Sequence, residues 1–349
     1  MGHPVQENKT QYELLPLFVS DEDGIGVLAC IVKGAFVLSS SGALEALAEP
    51  APVDLAGTRN GPEEDSSYKY EPEVAFVKPA TDVVLIGHAH APSPGARVVD
   101  VGVKVGPVQK IVRVFGDRFW VKQGRDVVAT RPQLFERMPL VYERAYGGWD
   151  KADPDERQWR FDPRNPVGRG FGDPLRMVGE GSLPMPNLED PHHPIKRYGD
   201  VPPPAGFGFV SPDWQPRARY AGTYDEAWEK ERKPLLPRDF DRRFFNAASP
   251  GLVAPGYLRG DEDVVVVNAS PTPQLRFKLP GVPPPECSIE LRRGGTSVLR
   301  TNLDTVIINT DENLVFLLWR AFMRVPNGPH DVVAIEAAGA NSSRQTFAA

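Results

Sequence analysis

Apolar residues alternate with polar ones, or stand nearly unbroken for about ten positions, at both ends of this chain, and that order vanishes from its middle. Val99, Val101, Val103 and Val105 alternate with Asp100, Gly102 and Lys104, the period of two that turns one face of a strand to a core. Val27 to Leu38 (VLACIVKGAFVL) is apolar almost throughout and rich in β-branched and aromatic residues, which predicts a long, largely buried strand. Strand patterns continue at Asp82 to Ala91, Val108 to Phe115 and Arg118 to Val121, with Gly-Pro at 106–107 and Gly-Asp at 116–117 where hairpin turns are needed. They return from Asp263 in DVVVVNAS, QLRFKLP, CSIELRRG, TSVLR, DTVIIN and NLVFLLWRAFM, and close with DVVAIE at Asp331 to Glu336. Thr-Asp-Glu between Asn309 and Asn313 is short enough for a hairpin.

Two stretches lack any period. Ala48 to Pro72, acidic and rich in Pro and Gly, predicts an exposed loop. Gly147 to Pro204 predicts an irregular region of about 60 residues, and so long a loop is functional or disordered; its interspersed aromatic, Leu, Ile and Met residues favour an ordered, draped course. Gly206 to Ser249 follows, with nine of the 32 aromatic residues and nearly balanced charge. Two short helices are expected there. Thr223 and Glu226 would form a capping box ahead of the first, with Tyr224 and Trp228 on one face; the second would start near Asp239 and align Phe240 with Phe244. Both stripes read as core anchors.

These patterns predict a mainly β protein, an antiparallel β-sandwich or sheet system with a long Pro/Gly-rich middle. The expected division is one large domain: N-terminal strands over 12–145, an irregular loop-and-helix insertion over 146–250, C-terminal strands over 251–337 and a tail over 338–349. Composition agrees, because 37 prolines and 32 glycines suit short strands and turns far better than helices, whose interiors proline destabilises by about 3 kcal/mol.

Charge and cysteine content narrow the function. A formal net charge of −6 disfavours nonspecific nucleic-acid binding, which needs a basic field. The N-terminus lacks the basic region and long apolar run of a secretory signal, and the longest apolar stretch is about half of the ~20 residues that span a bilayer. A cytoplasmic protein without a membrane segment is therefore expected. Cys30 and Cys287, the only cysteines, sit in apolar strand-like runs where a buried free thiol is the ordinary state; a disulfide between them is the alternative.

Candidate chemistry is sparse. His88 and His90 would share one strand face, as two metal ligands could, with Glu189, Asp190, His192 and His193 as further donors, but no metal-binding spacing accompanies them and structural histidines are the default. Gly168-Arg-Gly170-Phe-Gly172 lacks the Gly-Lys-Ser/Thr ending of a phosphate loop and continues into Asp173 and Pro174. Asp21-Glu-Asp23-Gly24 has the wrong spacing for an EF-hand and reads as a turn. Neither a Gly-x-Ser-x-Gly elbow nor a poised carboxylate pair occurs, so no catalytic residue, cofactor or metal site is assigned. The arginines from Arg144 to Arg169 alternate with carboxylates, as in a salt-bridged loop network; a recognition surface is the sharper reading, since Arg, Trp and Tyr are enriched at interface hot spots.

Several segments, in order, resemble one bacterial family. They are Val32-Lys-Gly-Ala-Phe36, Asp82 to Pro92, Phe115-Gly-Asp-Arg-Phe-Trp120, Glu143-Arg-Ala-Tyr-Gly-Gly148, Asn165-Pro-Val-Gly-Arg-Gly-Phe171, Leu183-Pro-Met-Pro-Asn-Leu-Glu189, Gly206 to Trp228 and Asp239 to Ser249. The likeness runs from about Leu14 to Ile335 and is to the domain-of-unknown-function family encoded beside type VI secretion genes, next to VgrG and PAAR spike proteins and effectors. It implies an adaptor or chaperone that binds an effector, PAAR or VgrG spike protein and promotes its loading, and it transfers no catalytic residue. On that reading the region between Tyr142 and Ser249 would carry the contact, with Tyr146, Trp149, Arg169, Trp214, Arg217, Arg219 and Tyr220 as the partner-binding residues, the last four forming an exposed edge. A hydrolase or carbohydrate-active enzyme with the long middle loop as an active-site rim is the alternative.

Overall fold

A computed structural model describes residues 4–39, 42–93, 95–172 and 181–339. Strands make up 42% of it and helices 8%, so the prolines and glycines fall in turns between strands, as their number demands. The largest sheet orders Glu13–Ser20, Gly26–Leu38, Leu314–Arg324, Asn302–Asn309 and Asp82–Ile86, with Leu44–Ala46 added beside Gly26–Leu38. A five-stranded sheet orders Leu188–Glu189, Val108–Phe115, Val98–Val105, Asp263–Val267 and Gln274–Lys278. Val5–Asn8, Val332–Ala338, Glu286–Leu291 and Gly295–Arg300 form a third. All three sheets combine strands from before and after the irregular middle.

The predicted patterns have visible causes. Val99, Val101, Val103 and Val105 are buried, while Asp100 and Lys104 between them are exposed. The Gly26–Leu38 strand is covered on both faces: Leu28, Cys30 and Val32 join the main core, and Val27 and Ala29 pack with Phe76. Cys30 and Cys287 are free and fully buried. Their thiols meet between the largest sheet and the third, and this contact, with burial, pushes the Cys30 thiol above its usual range.

Other expectations need correcting. Asp82 to Ala91 is not one strand: Gly87, at φ 150°, separates Asp82–Ile86 from His88–His90, which pairs instead with Arg137–Pro139. Ala48 to Pro72 is not simply an exposed loop, since Ser66, Ser67 and Glu71 are buried in it. The first helix is only Glu226–Glu231, capped by Asp225, whose carboxylate accepts from Trp228 N at 2.8 Å; Thr223 bonds Asp239 instead. In place of a second α-helix there is one turn of 3-10 helix, Arg242–Phe245, capped by Asp241. The Asp173-Pro174 continuation and the tail from Ala340 lie outside the described residues.

The middle region is tied to the largest sheet at its end. Leu85 N donates to Phe207 O at 3.3 Å and Val83 N to Leu252 O at 2.9 Å. Asp82, fully buried, is paired with Lys78 at 2.8 Å and also accepts from Ala247 N at 2.9 Å. Phe240, Phe244 and Phe245 form one aromatic group that reaches Phe76, with the Phe76 and Phe245 rings 5.2 Å apart. That stripe is anchored only through Phe245, which the expected pair did not include; Phe240 and Phe244 are half-buried. Tyr224 is not an anchor: it is 52% exposed, packed only edge-on against Trp228.

Candidate functional site

Segments far apart in sequence meet in one polar knot beneath the middle region. Asn165, fully buried, donates from Nδ2 to Tyr142 O at 2.8 Å and to Tyr146 O at 3.0 Å. Gly147 lies so close that a Cβ there would sit 2.1 Å from Asn165 O, and its φ of +144° is one that side chains disfavour. Asn187 Nδ2 bridges Phe115 O and Asp117 Oδ1, and Arg144 reaches the same Asp117 at 3.1 Å. Arg169 donates from Nε to Glu143 O at 2.9 Å, while the Glu143 carboxylate accepts two 2.8 Å bonds from Ser67. Arg118 is paired with Glu189 in the interior. Burial pushes the Glu189 carboxyl up against the pull of Arg118, and burial, followed by the neighbouring Arg144, lowers Arg169. Buried polar groups cost stability unless bonded; apart from Asn165 Oδ1 and Arg118 Nε, which have no partner among the described residues, these groups bond one another and fix the course of the loops.

A second node joins the middle region to the five-stranded sheet. Lys110 Nζ donates to Ser249 Oγ at 2.6 Å and to Pro250 O at 2.8 Å. Tyr142 OH donates to the same Ser249 Oγ at 2.9 Å, and Ser249 Oγ in turn donates to Gly206 O at 2.8 Å. Burial lowers the Lys110 pKa to about 8, against the opposing charge of Asp190, and burial raises Tyr142 to about 12. A serine beside a lysine of depressed pKa has the ingredients of a nucleophile. Ser249, however, is fully buried, with its proton held by a carbonyl and its oxygen already accepting twice, so the arrangement fastens chain to chain.

The seven sequence-predicted contact residues separate into three settings. Tyr146, Trp214 and Arg217 are buried. The Trp214 ring stands edge-on to Tyr142 with centroids 5.6 Å apart, and Arg217 pairs with Glu71 while donating to Phe244 O at 2.6 Å and Val210 O at 2.9 Å. The expected exposed edge from Trp214 to Tyr220 is therefore corrected: its first two members are interior, because a carboxylate 146 positions away draws the guanidinium inward. Arg169 is half-buried in the knot. Arg219 and Trp149 are at the surface and Tyr220 is half-buried; Tyr220 lies between the guanidinium groups of Arg219 and Arg243, 4.8 and 4.5 Å from its ring centre.

Trp149 has companions that the sequence reading missed. It sits on a two-stranded ribbon, Trp149–Asp150 against Arg160–Phe161, where the Trp149 and Phe161 rings lie 4.6 Å apart and are 45% and 43% exposed. Lys151 Nζ is 5.5 Å from the Trp149 ring and 5.1 Å from that of Trp159. Three aromatic rings and an ammonium group thus share one ribbon. The signal was present in the spacing WDKADPDERQWRF, whose two ends carry aromatic-charged pairs around a turn-forming Asp-Pro-Asp. The histidines, by contrast, are dispersed: His88 Nδ1 bonds Asp311 at 2.7 Å and His193 Nδ1 bonds Asp190 at 2.9 Å. Among the described residues no three His, Cys, Asp or Glu side chains gather to hold an ion, and no helix is long and apolar enough to cross a membrane.

The fold and these nodes define a mainly β scaffold whose middle segment is pinned by buried polar residues and carries an exposed aromatic ribbon. The chain belongs to the family described as "Uncharacterized protein conserved in bacteria (DUF2169)", whose sequence model matches residues 23–320. No curated protein and no solved structure is similar enough to count as a match.

Proposed function

We propose that this protein is an accessory adaptor of a type VI secretion system that binds an effector, PAAR or VgrG spike protein and promotes its loading. The observation that carries the reading is the Trp149–Phe161 pair. Two large aromatic faces left in water forgo about 25 cal/mol for every Å² not covered, and stacked, exposed aromatics beside cationic groups are the side-chain types that anchor protein interfaces. Lys151 and Arg160, the latter paired with Asp150 at 3.0 Å, would orient the partner. The resemblance to proteins encoded beside type VI genes supplies the partner class. The knot of Asn165, Asn187, Arg144 and Arg118 holds the ribbon's base still, which lowers the entropy cost of binding.

Co-purification with the effector, PAAR and VgrG proteins encoded nearby tests the proposal. The wild-type chain is expected to retain at least one of them, and the Trp149→Ala/Phe161→Ala variant to lose it with an unchanged Tm. Failure to retain any of them at low salt contradicts the adaptor reading.

A further inference from the structure

Lys110 stands where the five-stranded sheet meets the end of the middle region, and its surroundings suit an amine better than an ammonium ion. A charged lysine carries three N–H donors. Two acceptors meet them, Ser249 Oγ at 2.6 Å and Pro250 O at 2.8 Å. Both acceptors are uncharged, and among the described residues no carboxylate lies within ion-pair distance of Nζ. In the neutral amine the same two bonds use both N–H groups, and the third tetrahedral position is the lone pair that a nucleophile needs. Burial acts in the same direction, lowering the Lys110 pKa to about 8 against the opposing charge of Asp190.

A cavity of about 250 Å³ adjoins this lysine. Pro203, Ala205, Val210 and Pro216 give it apolar walls, and the charged groups that line it besides Lys110 are Arg164 and Asp190. Both are engaged. Arg164 Nε donates to Asp162 at 2.8 Å, while Asp190 bonds His193 at 2.9 Å and accepts from His192 N at 2.9 Å. No free charge is left to match a charged ligand, so the cavity suits an uncharged one. An apolar cavity of about 150 Å³ already holds a benzene molecule, which leaves room here for a body of several carbon atoms.

We propose that Lys110 is a reactive amine that condenses with a small uncharged aldehyde held in this cavity. The Nζ lone pair adds to the carbonyl carbon, the carbonyl oxygen takes up the two protons that nitrogen gives up and leaves as water, and a C=N bond remains. Lysines set in apolar surroundings are activated for this chemistry because they keep a neutral fraction at neutral pH. An amine of pKa about 8 is about 10% neutral at pH 7, against about 0.03% at the usual 10.5. The inference is independent of the adaptor reading, since the aromatic ribbon takes no part in it.

The test treats the full chain with propanal and sodium cyanoborohydride, which reduces the C=N bond to a stable secondary amine, and maps the labelled lysines by mass spectrometry. Lys104, exposed on the neighbouring strand, is the internal control. Lys110 is expected to label at least tenfold faster than Lys104 at pH 7, at a rate that rises with a midpoint near pH 8. 1-Pyrenecarboxaldehyde, too large for the cavity, should lose that preference. The titratable groups around Lys110 are Tyr142, Arg164 and Asp190 in the cavity and Asp100, Lys104, His192 and Arg276 in an adjoining groove. Asp190 is the one whose charge favours the ammonium form, so Asp190→Asn should at least double the Lys110 rate at pH 7. Labelling of Lys110 no faster than Lys104, or seen only where the chain unfolds, overturns the inference. So does a rate without a midpoint up to pH 9, an unchanged or slower rate in Asp190→Asn of wild-type Tm, or an equal preference of the bulky aldehyde for Lys110.

Discussion

Arg217 and Arg219 stand two positions apart and share only their charge. Arg217 is buried between Glu71, Phe244 O and Val210 O; Arg219 is exposed and stacks on Tyr220. Burial holds the Glu71 carboxyl above its usual range even with Arg217 and Lys78 beside it, so removing Arg217 leaves a costly group behind. Arg217→Ala should lower unfolding free energy by about 3 to 5 kcal/mol, whereas Arg219→Ala should change it by less than about 0.5 kcal/mol, as measured by denaturant unfolding. Nothing local separates the two in RARYAG; the distinguishing partner is remote, and for this reason the side-chain settings were the least legible part of the sequence. Lys110 gives a pH signature. Its folded pKa of about 8 lies below its usual 10.5, so between those values the unfolded chain binds more protons and stability contributed at this site rises with pH. The stability difference between wild type and Lys110→Met should grow across pH 8 to 10 by up to about 1.4 kcal/mol per unit, and a flat difference would contradict the burial argument.

At the scale of elements, strands were legible wherever one face is dry. Val99 to Val105 declare themselves by alternation, and Gly26–Leu38 by an apolar run that two covered faces require. Short pairs such as Tyr146–Gly147 with Arg169–Gly170 were not, since two residues carry no period. Their existence depends on fit: Gly147→Ala would place a methyl group against Asn165 O in a backbone conformation that disfavours it. A loss of about 3 kcal/mol or more is expected, with a lowered Tm even though no exposed aromatic is touched. The cap of the first helix was misplaced because Thr223 and Asp225 carry equivalent capping signals, and Glu226–Glu231 stays short because it has no buried residue to extend it.

At the scale of the molecule, strands from before and after the middle share all three large sheets, and the middle is held by charged and polar residues in the interior: Asp82 with Asn246 and Ala247 N, Arg217 with Glu71, Arg118 with Glu189, and Lys110 with Ser249. Most segments that carry the family resemblance lie in these attachments. Asn165, Gly147, Asn187 and Arg144 serve the scaffold, and the surface they display is the Trp149–Phe161 ribbon, which the motif-by-motif reading touched only at Trp149. The most direct test is the dissociation constant of a captured type VI partner for wild type and for Trp149→Ala/Phe161→Ala, taken with the Tm of each. An adaptor that binds through this ribbon loses at least about 30-fold in affinity, as removal of a hot spot worth ~2 kcal/mol requires, and keeps its Tm. Equal affinities, or a loss that comes only with a fallen Tm, would contradict it.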